Sequence, residues 1–444
     1  MKRIFLGLLA VAIMLVLSAC NGQEGFDDVV GSVEVSPEPL ASFVATLPRT
    51  QSPSIAHGAN DFAFRLTTEM LSMHPEDNFI MSPFSVWLPL AAVANVTNED
   101  LLPQLLEVLG AEGSNVEDIN NAAAQMLFYL TSEHIRRWDA DALNPLHIAN
   151  AIFANQNMPF NQEFAEIFAQ YFLGTTMNVD FTHPSAADAI NQWASDNTDG
   201  LIDNIVSPDV FDEFTVAAIA NAIYFSSPWV GQFSPELTQI DTFYGINGQS
   251  QVQFMCRSWS EYGDWAATRL YYEDDFVQSI NLDFSDGGTM TILLPANGDA
   301  NGLLAAMTNE YFNHIQQNKQ PASGRLRLPI FDIENEHNAL LEALENIGIP
   351  ITDQAQHPLN EMLDPRSLLP IYLSDAVQVA TIEVDEEGAT AAAVTVMTFQ
   401  LTCFPPRPQI TFEMIVNRPF VLILHKHSID GVRQVLFVGV VNQL

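Results

Sequence analysis

Apolar positions along the chain change period near its midpoint. From Ala56 to Met73 they fall at Phe62, Phe64, Leu66, Met70 and Leu71, near the repeat of a half-buried helix, and a second helical run follows Ser85. Asp188 to Ile205 predicts another helix and its exit, with Ile190, Trp193, Ile202 and Ile205 as core contacts. Beyond it come β-branched or apolar runs bounded by Gly, Pro, Asp or Asn: Val216 to Phe225, Val252 to Met255, Val277 to Phe284, Met290 to Leu294 and Leu326 to Ile333. A further helix is predicted from Asn338 to Ile347, closed by Gly348. Phe420 to Leu424 and Gln434 to Val441 read as two strands joined by a turn at Ser428 to Gly431. No internal repeat and no Pro- or Gly-rich linker divides the body, so the pattern is that of a single α+β domain.

Val384 to Leu401 has a different rhythm. Extended, it carries Ala389, Ala391, Ala393, Thr395, Met397, Phe399 and Leu401 on one face and Thr390, Ala392, Val394, Val396, Thr398 and Gln400 on the other. Small side chains lead and larger apolar ones follow, so such a strand enters a sheet without steric conflict. Local propensity alone also fits an Ala-rich amphipathic helix or a plain buried strand.

The N-terminus adds an address. Lys2 and Arg3 precede the apolar run Ile4 to Leu17, which is the charged region and short apolar region of a secretory signal and is too short to span a bilayer. Leu17-Ser18-Ala19-Cys20 resembles a bacterial lipobox, which implies a signal over residues 1–19 and a lipid on Cys20. An ordinary signal, cleaved or uncleaved, is the alternative. Residues 20–54, with Pro37, Pro39, Pro48 and Pro53 and no sustained period, read as a tether outside the core, leaving 55–444 as the folded body. The expected location is an exported, membrane-anchored lipoprotein facing the cell exterior or the periplasm.

A net charge of −38 over 444 residues disfavours nucleic acid as a partner. Lysine occurs three times, at Lys2, Lys319 and Lys426, so carboxylates and amides must carry the surface. Cys256 and Cys403 are too few for a disulfide framework and are expected as free thiols, Cys256 as a buried small hydrophobe. No H-E-x-x-H, G-x-S-x-G, Gly-rich phosphate loop or paired C-x-x-C is present, so neither a catalytic constellation nor a cofactor or metal site is expected. His425 and His427 read as surface or strand-end histidines rather than ligands. Glu386 and Glu387 are adjacent, and in an extended hinge they point to opposite faces, which excludes an acid/base pair.

Several separated segments, in order, resemble one family, the serpins. They are Asn78-Phe79-Ile80-Met81-Ser82-Pro83-Phe84-Ser85; Ile148 to Phe153; Trp193 with Thr198-Asp199-Gly200; Asn221-Ala222-Ile223-Tyr224-Phe225 with Trp229; Leu328-Pro329; Asp385-Glu386-Glu387-Gly388 followed by small residues; Asn417-Arg418-Pro419-Phe420; and Phe437-Val438-Gly439. The resemblance implies three β-sheets, surrounding helices, an exposed reactive loop from about Glu386 to Pro405, and a metastable native state. It also implies suicide inhibition of a serine or cysteine protease. The cut loop inserts into the main sheet while still acylated and carries the protease to the far pole.

Residue roles follow from the same resemblance. Glu386, Glu387, Gly388, Ala389, Ala391, Ala393 and Thr395 form the hinge; Ser82, Ser85, Asn221, Trp229 and Gln378 form the shutter and breach. Gln378 stands where many serpins carry a histidine, and its amide is expected to bond Asn221 and Ser82 without a proton-dependent switch. Counting from Glu386 places the cut at Thr402-Cys403, with Leu401 as an alternative. Neutral residues there suit an elastase-like or subtilisin-like protease better than a trypsin-like one. A monomer is expected. The competing reading is a non-inhibitory serpin acting as a ligand carrier, chaperone or surface-binding module.

Overall fold

A computed structural model of the chain describes residues 9–19, 40–48, 51–132, 146–158, 160–259, 269–359, 361–363, 370–389 and 410–444. Its helices are α1 (Leu40–Val44), α2 (Ser52–Met73), α3 (Pro83–Val93), α4 (Leu102–Val108), α5 (Val116–Ser132), α6 (Gln162–Phe172), α7 (Ser185–Asn197), α8 (Ala300–Ala305), α9 (Asn309–Asn318) and α10 (Leu340–Asn346). The strands are β1 (Leu9–Ala19), β2 (Phe79–Met81), β3 (Leu146–Asn155), β4 (Gly174–Val179), β5 (Thr215–Phe225), β6 (Ser227–Pro228), β7 (Gln239–Gly245), β8 (Gly248–Trp259) and β9 (Arg269–Glu273). They continue with β10 (Val277–Asp283), β11 (Gly288–Pro295), β12 (Gln320–Pro329), β13 (Phe331–His337), β14 (Ile371–Val384), β15 (Gly388–Ala389), β16 (Ile410–Ile415), β17 (Phe420–His427) and β18 (Arg433–Val441).

Three sheets result. A six-stranded sheet runs β13-β14-β1-β5-β3-β4, a ten-stranded sheet runs β2-β18-β17-β11-β10-β9-β12-β8-β7 with β16 on β12, and β15 pairs with β6. Strand β5 shows why the six-stranded sheet is buried on both faces. Ala217, Ile219, Ile223 and Phe225 join the main core, while Ala218, Ala220 and Ala222 pack with Ala186, Ala187, Ile190 and Ala194 of α7. Alternation at period two thus puts bulk on one face and small residues under α7, which lets that helix lie close on the sheet.

Local chemistry sets the helix starts. Ser82 caps α3 by accepting from the Ser85 N–H at 3.3 Å, with Pro83 at the first helical position, so the Ser-Pro-x-Ser sequence is a helix start. Asn161 caps α6 and Thr308 caps α9 in the same way.

Three expectations change. Leu326 to Ile333 is not one strand: β12 ends at Pro329 and β13 begins at Phe331 in another sheet, because proline lacks the N–H that continues a ladder. The tether is shorter than expected, since α1 packs on α5, Val44 is buried, and the Phe43 ring meets Tyr171 edge-on at 5.0 Å. The apolar N-terminal segment forms β1, antiparallel to both β14 and β5. The hairpin β17–β18, the helix over 340–346 and the buried free thiol of Cys256 fall where the sequence put them.

Candidate reactive loop, hinge and shutter

Strand β14 leads straight to the hinge. After Val384 the chain turns through Asp385, Glu386 and Glu387, and the Asp385 carboxylate accepts from the N–H groups of Glu387 (2.8 Å) and Gly388 (3.1 Å). Trp229 holds this turn: its Nε1 donates to the Asp385 carbonyl at 3.0 Å and its backbone N–H to the Glu387 carbonyl at 3.1 Å. Its ring stacks on Phe284 at 4.2 Å, which fixes the clamp to the ten-stranded sheet's β10 side. Phe233 N–H donates to the Glu386 carbonyl at 2.9 Å, and Thr238 Oγ1 donates to the Glu386 carboxylate at 2.6 Å.

Gly388 is required twice over. Its φ is +121°, and a Cβ there would lie 2.5 Å from the Trp229 nitrogen. Gly388 and Ala389 pair with Pro228 and Ser227, so the hinge starts out bonded to β6 and away from the six-stranded sheet. Ala391, Ala393, Thr395, Leu401, Thr402 and Cys403 lie outside the described residues, as does Cys20.

Carboxylates crowd this end of the sheet. Asp332 and Glu383 are directly opposite on β13 and β14. Burial first, then Asp332 and Asp385, push the Glu383 carboxyl up to about 7. Burial likewise raises Asp332 and Asp385 above the usual carboxylate range.

The shutter lies midway down the same strands. Gln378 bonds the Ser82 backbone reciprocally: Oε1 accepts from the Ser82 N–H at 3.1 Å and Nε2 donates to the Ser82 carbonyl at 2.9 Å. Ser82 Oγ donates to the Leu436 carbonyl at 2.7 Å. The expected bond from Gln378 to Asn221 is not made. Strand β1 lies between them, with Ile13 opposite both residues, and Asn221 instead donates to Asn150 Oδ1 at 2.7 Å. Asn150 was missed from the sequence, although an asparagine amid the apolar run Ile148 to Phe153 was a usable signal. It also donates to the Phe172 carbonyl at 2.6 Å.

The shutter does contain a histidine, on the neighbouring strand. His337 is opposite Gln378 in register, is buried, and donates from Nε2 to the Ile80 carbonyl at 2.7 Å. Burial pushes its imidazole below the ordinary histidine value. Of the other pair, His427 is exposed at the end of β17, while His425, near that strand end, is buried against Thr291, 2.9 Å from its Nε2. Among the described residues no group of three or more His, Cys, Asp or Glu side chains is placed to hold a metal, and no helix is long and apolar enough to cross a membrane.

Residues 57–444 match the family model for Serpin (serine protease inhibitor). Serpin-Z2B of Triticum aestivum is 30% identical over 410 residues, covering 88% of this chain and 96% of that protein. Antitrypsin of Bombyx mori is 28% identical over 393 residues, covering 87% and 93%. Among solved structures, native protease nexin-1 with heparin superposes with a TM-score of 0.72 at 22% identity, covering 88% of this chain and 100% of that one. The thermophilic serpin tengpin in its native state gives 0.69 at 22% identity, covering 95% and 99%. The chain belongs to the serpin family. It is by class a protease inhibitor and not an enzyme.

Proposed function

We propose that the protein is a suicide-substrate inhibitor of a serine protease, cut at Thr402-Cys403 or beside it after Leu401, with the severed loop inserting between β14 and β5. The observation that carries this reading is the place of β1. The sheet accepts a strand of 11 residues there, antiparallel to both neighbours, from Leu9 opposite Ile382 to Ala19 opposite Ile371. A loop turning back at Gly388 would enter the same place in the same direction, as the second arm of a hairpin with β14. Its inward face would lead with Ala389, Ala391 and Ala393. Pairing about ten backbone groups at a net ~1 kcal/mol each, with burial of Met397, Phe399 and Leu401 at ~1.5 to 3 kcal/mol each, releases on the order of ten kcal/mol or more. Such a release can distort an acylated protease, and a rigid inhibitor has no equivalent.

Signal removal before a lipid-bearing Cys20 would vacate this position. The mature chain would then be a lipoprotein facing the exterior or periplasm, meeting an elastase-like or subtilisin-like protease. A second reading has its own support: a chain that keeps β1 in place has no room for its loop, and would be cut without trapping, as a non-inhibitory member would. The test is to mix subtilisin with the chain freed of residues 1–19 and, separately, with the full chain. An SDS-resistant covalent complex is expected from the first and cleavage alone from the second. Cleavage without complex in both would sink the inhibitor reading.

A further inference from the structure

Exposed apolar side chains gather on one ribbon of the ten-stranded sheet. Among the described residues eight large ones are exposed, and four of these, Leu237, Ile240, Tyr244 and Ile246, lie on or beside β7. Strand β7 pairs with β8 from Gln239 opposite Phe254 to Gly245 opposite Gly248, and β12 joins β8 only from Phe254 onward. Strand β7 and Gln249 to Gln253 are therefore a two-stranded ribbon beyond the rest of the sheet. One face of it holds three cross-strand rows: Ile240 with Gln253, Thr242 with Gln251, and Tyr244 with Gln249. Ile240 is 70% exposed and Tyr244 49%, and the three glutamines are exposed as well. No row carries a charge. Asp241, the only charged residue of β7, lies on the opposite face and pairs with Arg327 at 2.7 Å.

The ribbon is held in place and its edge is occupied. The Ile246 N–H donates to the Asn442 carbonyl at 3.0 Å, and the Ile330 N–H donates to the Gln253 carbonyl at 2.8 Å. On the outer edge of β7 the Tyr244 N–H goes to the Asn417 carbonyl and the Thr242 N–H to the Asp241 carboxylate, both at 2.7 Å. With those donors taken, the edge offers little to a further strand, and the unpartnered surface is the face. Charge selects what covers it. A net charge of −38 makes copies of this chain repel wherever carboxylates meet, and this face presents none. Glutamine and threonine each donate and accept, as the bond from Gln251 Nε2 to Thr242 Oγ1 at 2.8 Å shows, so the rows complement their own copies. A two-fold axis across the strands at the Thr242 and Gln251 row stacks two ribbons with their strands aligned. It sets Ile240 on Tyr244 of the second copy and Gln253 on Gln249 of the second copy, while Thr242 and Gln251 each meet themselves.

We propose that this face of β7 and β8 joins two copies of the chain in a symmetric dimer, in place of the monomer expected from the sequence. The dimer stands apart from the inhibitor reading, because neither the hinge nor the loop enters it. Sedimentation velocity on the full chain between about 1 and 100 μM should show monomer passing to dimer with a dissociation constant on the order of 10 μM, as suits so small an interface. Salt screens the repulsion and breaks no ion pair, so the constant should fall about threefold between about 0.05 and 0.5 M NaCl. Ile240→Glu and Tyr244→Arg, both at exposed positions, should each raise it more than about tenfold. Mixed in equal amounts the two variants should dimerise again, because the new glutamate then meets the new arginine at one end while Tyr244 meets Ile240 at the other. Phe276→Glu, at a position 72% exposed in the turn between β9 and β10, should change nothing. A chain monomeric at about 100 μM in both salts, a dimer that salt dissolves, or one that Ile240→Glu leaves intact would overturn the proposal. A mixture of the two variants that stays monomeric would overturn the two-fold pairing.

Discussion

The two large sheets are built on opposite principles. In the six-stranded sheet an inner position is filled by β1, a segment more than 100 residues away in sequence from its nearest partner. The ten-stranded sheet includes a consecutive hairpin, β17–β18, next to its edge strand β2, and holds a buried ion pair, Lys426 Nζ to Asp286 Oδ2 at 3.2 Å, with side-chain exposures of 1% and 0%. Lys319, also buried, donates to Asn281, which shares a network with Thr291 and Gln316. Under the proposed function the first sheet exchanges a strand and stores conformational energy, while the second keeps its pairing throughout.

The largest effect that would break this contrast comes from the leading inward residue of the loop. In the chain freed of residues 1–19, Ala389→Arg would carry an unpaired guanidinium into the six-stranded sheet, a cost of roughly 3 kcal/mol or more. That shifts the partition between trapping and release by about a hundredfold. The expected result on mixing with subtilisin is full cleavage and no SDS-resistant complex. Undiminished complex would mean that the loop does not enter between β14 and β5.

The ten-stranded sheet should respond in the opposite manner. Lys426→Ala leaves the Asp286 carboxylate buried and unpaired, which costs about 3 to 5 kcal/mol. Because β17 takes no part in strand exchange, urea unfolding should show the same loss in intact and loop-cleaved chains. A loss confined to one of the two forms would show that the second sheet also stores the energy difference.

Much of this division was legible in the sequence, for physical reasons that differ by element. A bounded β-branched and apolar run marked β5, and two strands about a turn marked the β17–β18 hairpin, because both signals are local, whereas the Ser82 cap that starts α3 at Pro83 was not read from the sequence. The expected hinge residue Gly388 meets the Trp229 backbone, a close approach that no local pattern in the sequence signals. The Asn221 partner was misassigned because a strand from the far N-terminus separates it from Gln378, and no local pattern encodes such an insertion. Lysine scarcity was readable, yet not its consequence: Lys319 and Lys426 are both buried, so no lysine among the described residues is on the surface.

The smallest expected effect sharpens the comparison at the hinge. Glu383, at the end of β14, faces Asp332 across the strand pair and Asp385 along the chain, with Glu386 and Glu387 just beyond. Its folded-state pKa of about 7 lies above the ordinary glutamate value of 4.5, so the native state holds this proton more tightly than the unfolded chain. The associated stability is fully present below about pH 4.5 and is lost as pH rises toward about 7. After allowance for solvent screening at this half-buried site, the loss is about 1 kcal/mol, or roughly 2 °C in Tm. Glu383→Gln should reduce that slope between pH 5 and about 7 in thermal melts, leaving the same-sign part from raised Asp332 and Asp385 and the opposite, acid-side loss from buried neutral His337. The slope should be largest in the intact chain, where the carboxylates crowd a closed hinge, and smaller after loop cleavage. An unchanged slope in Glu383→Gln would place the titrating group elsewhere and remove the hinge carboxylates from the account of how the first sheet opens.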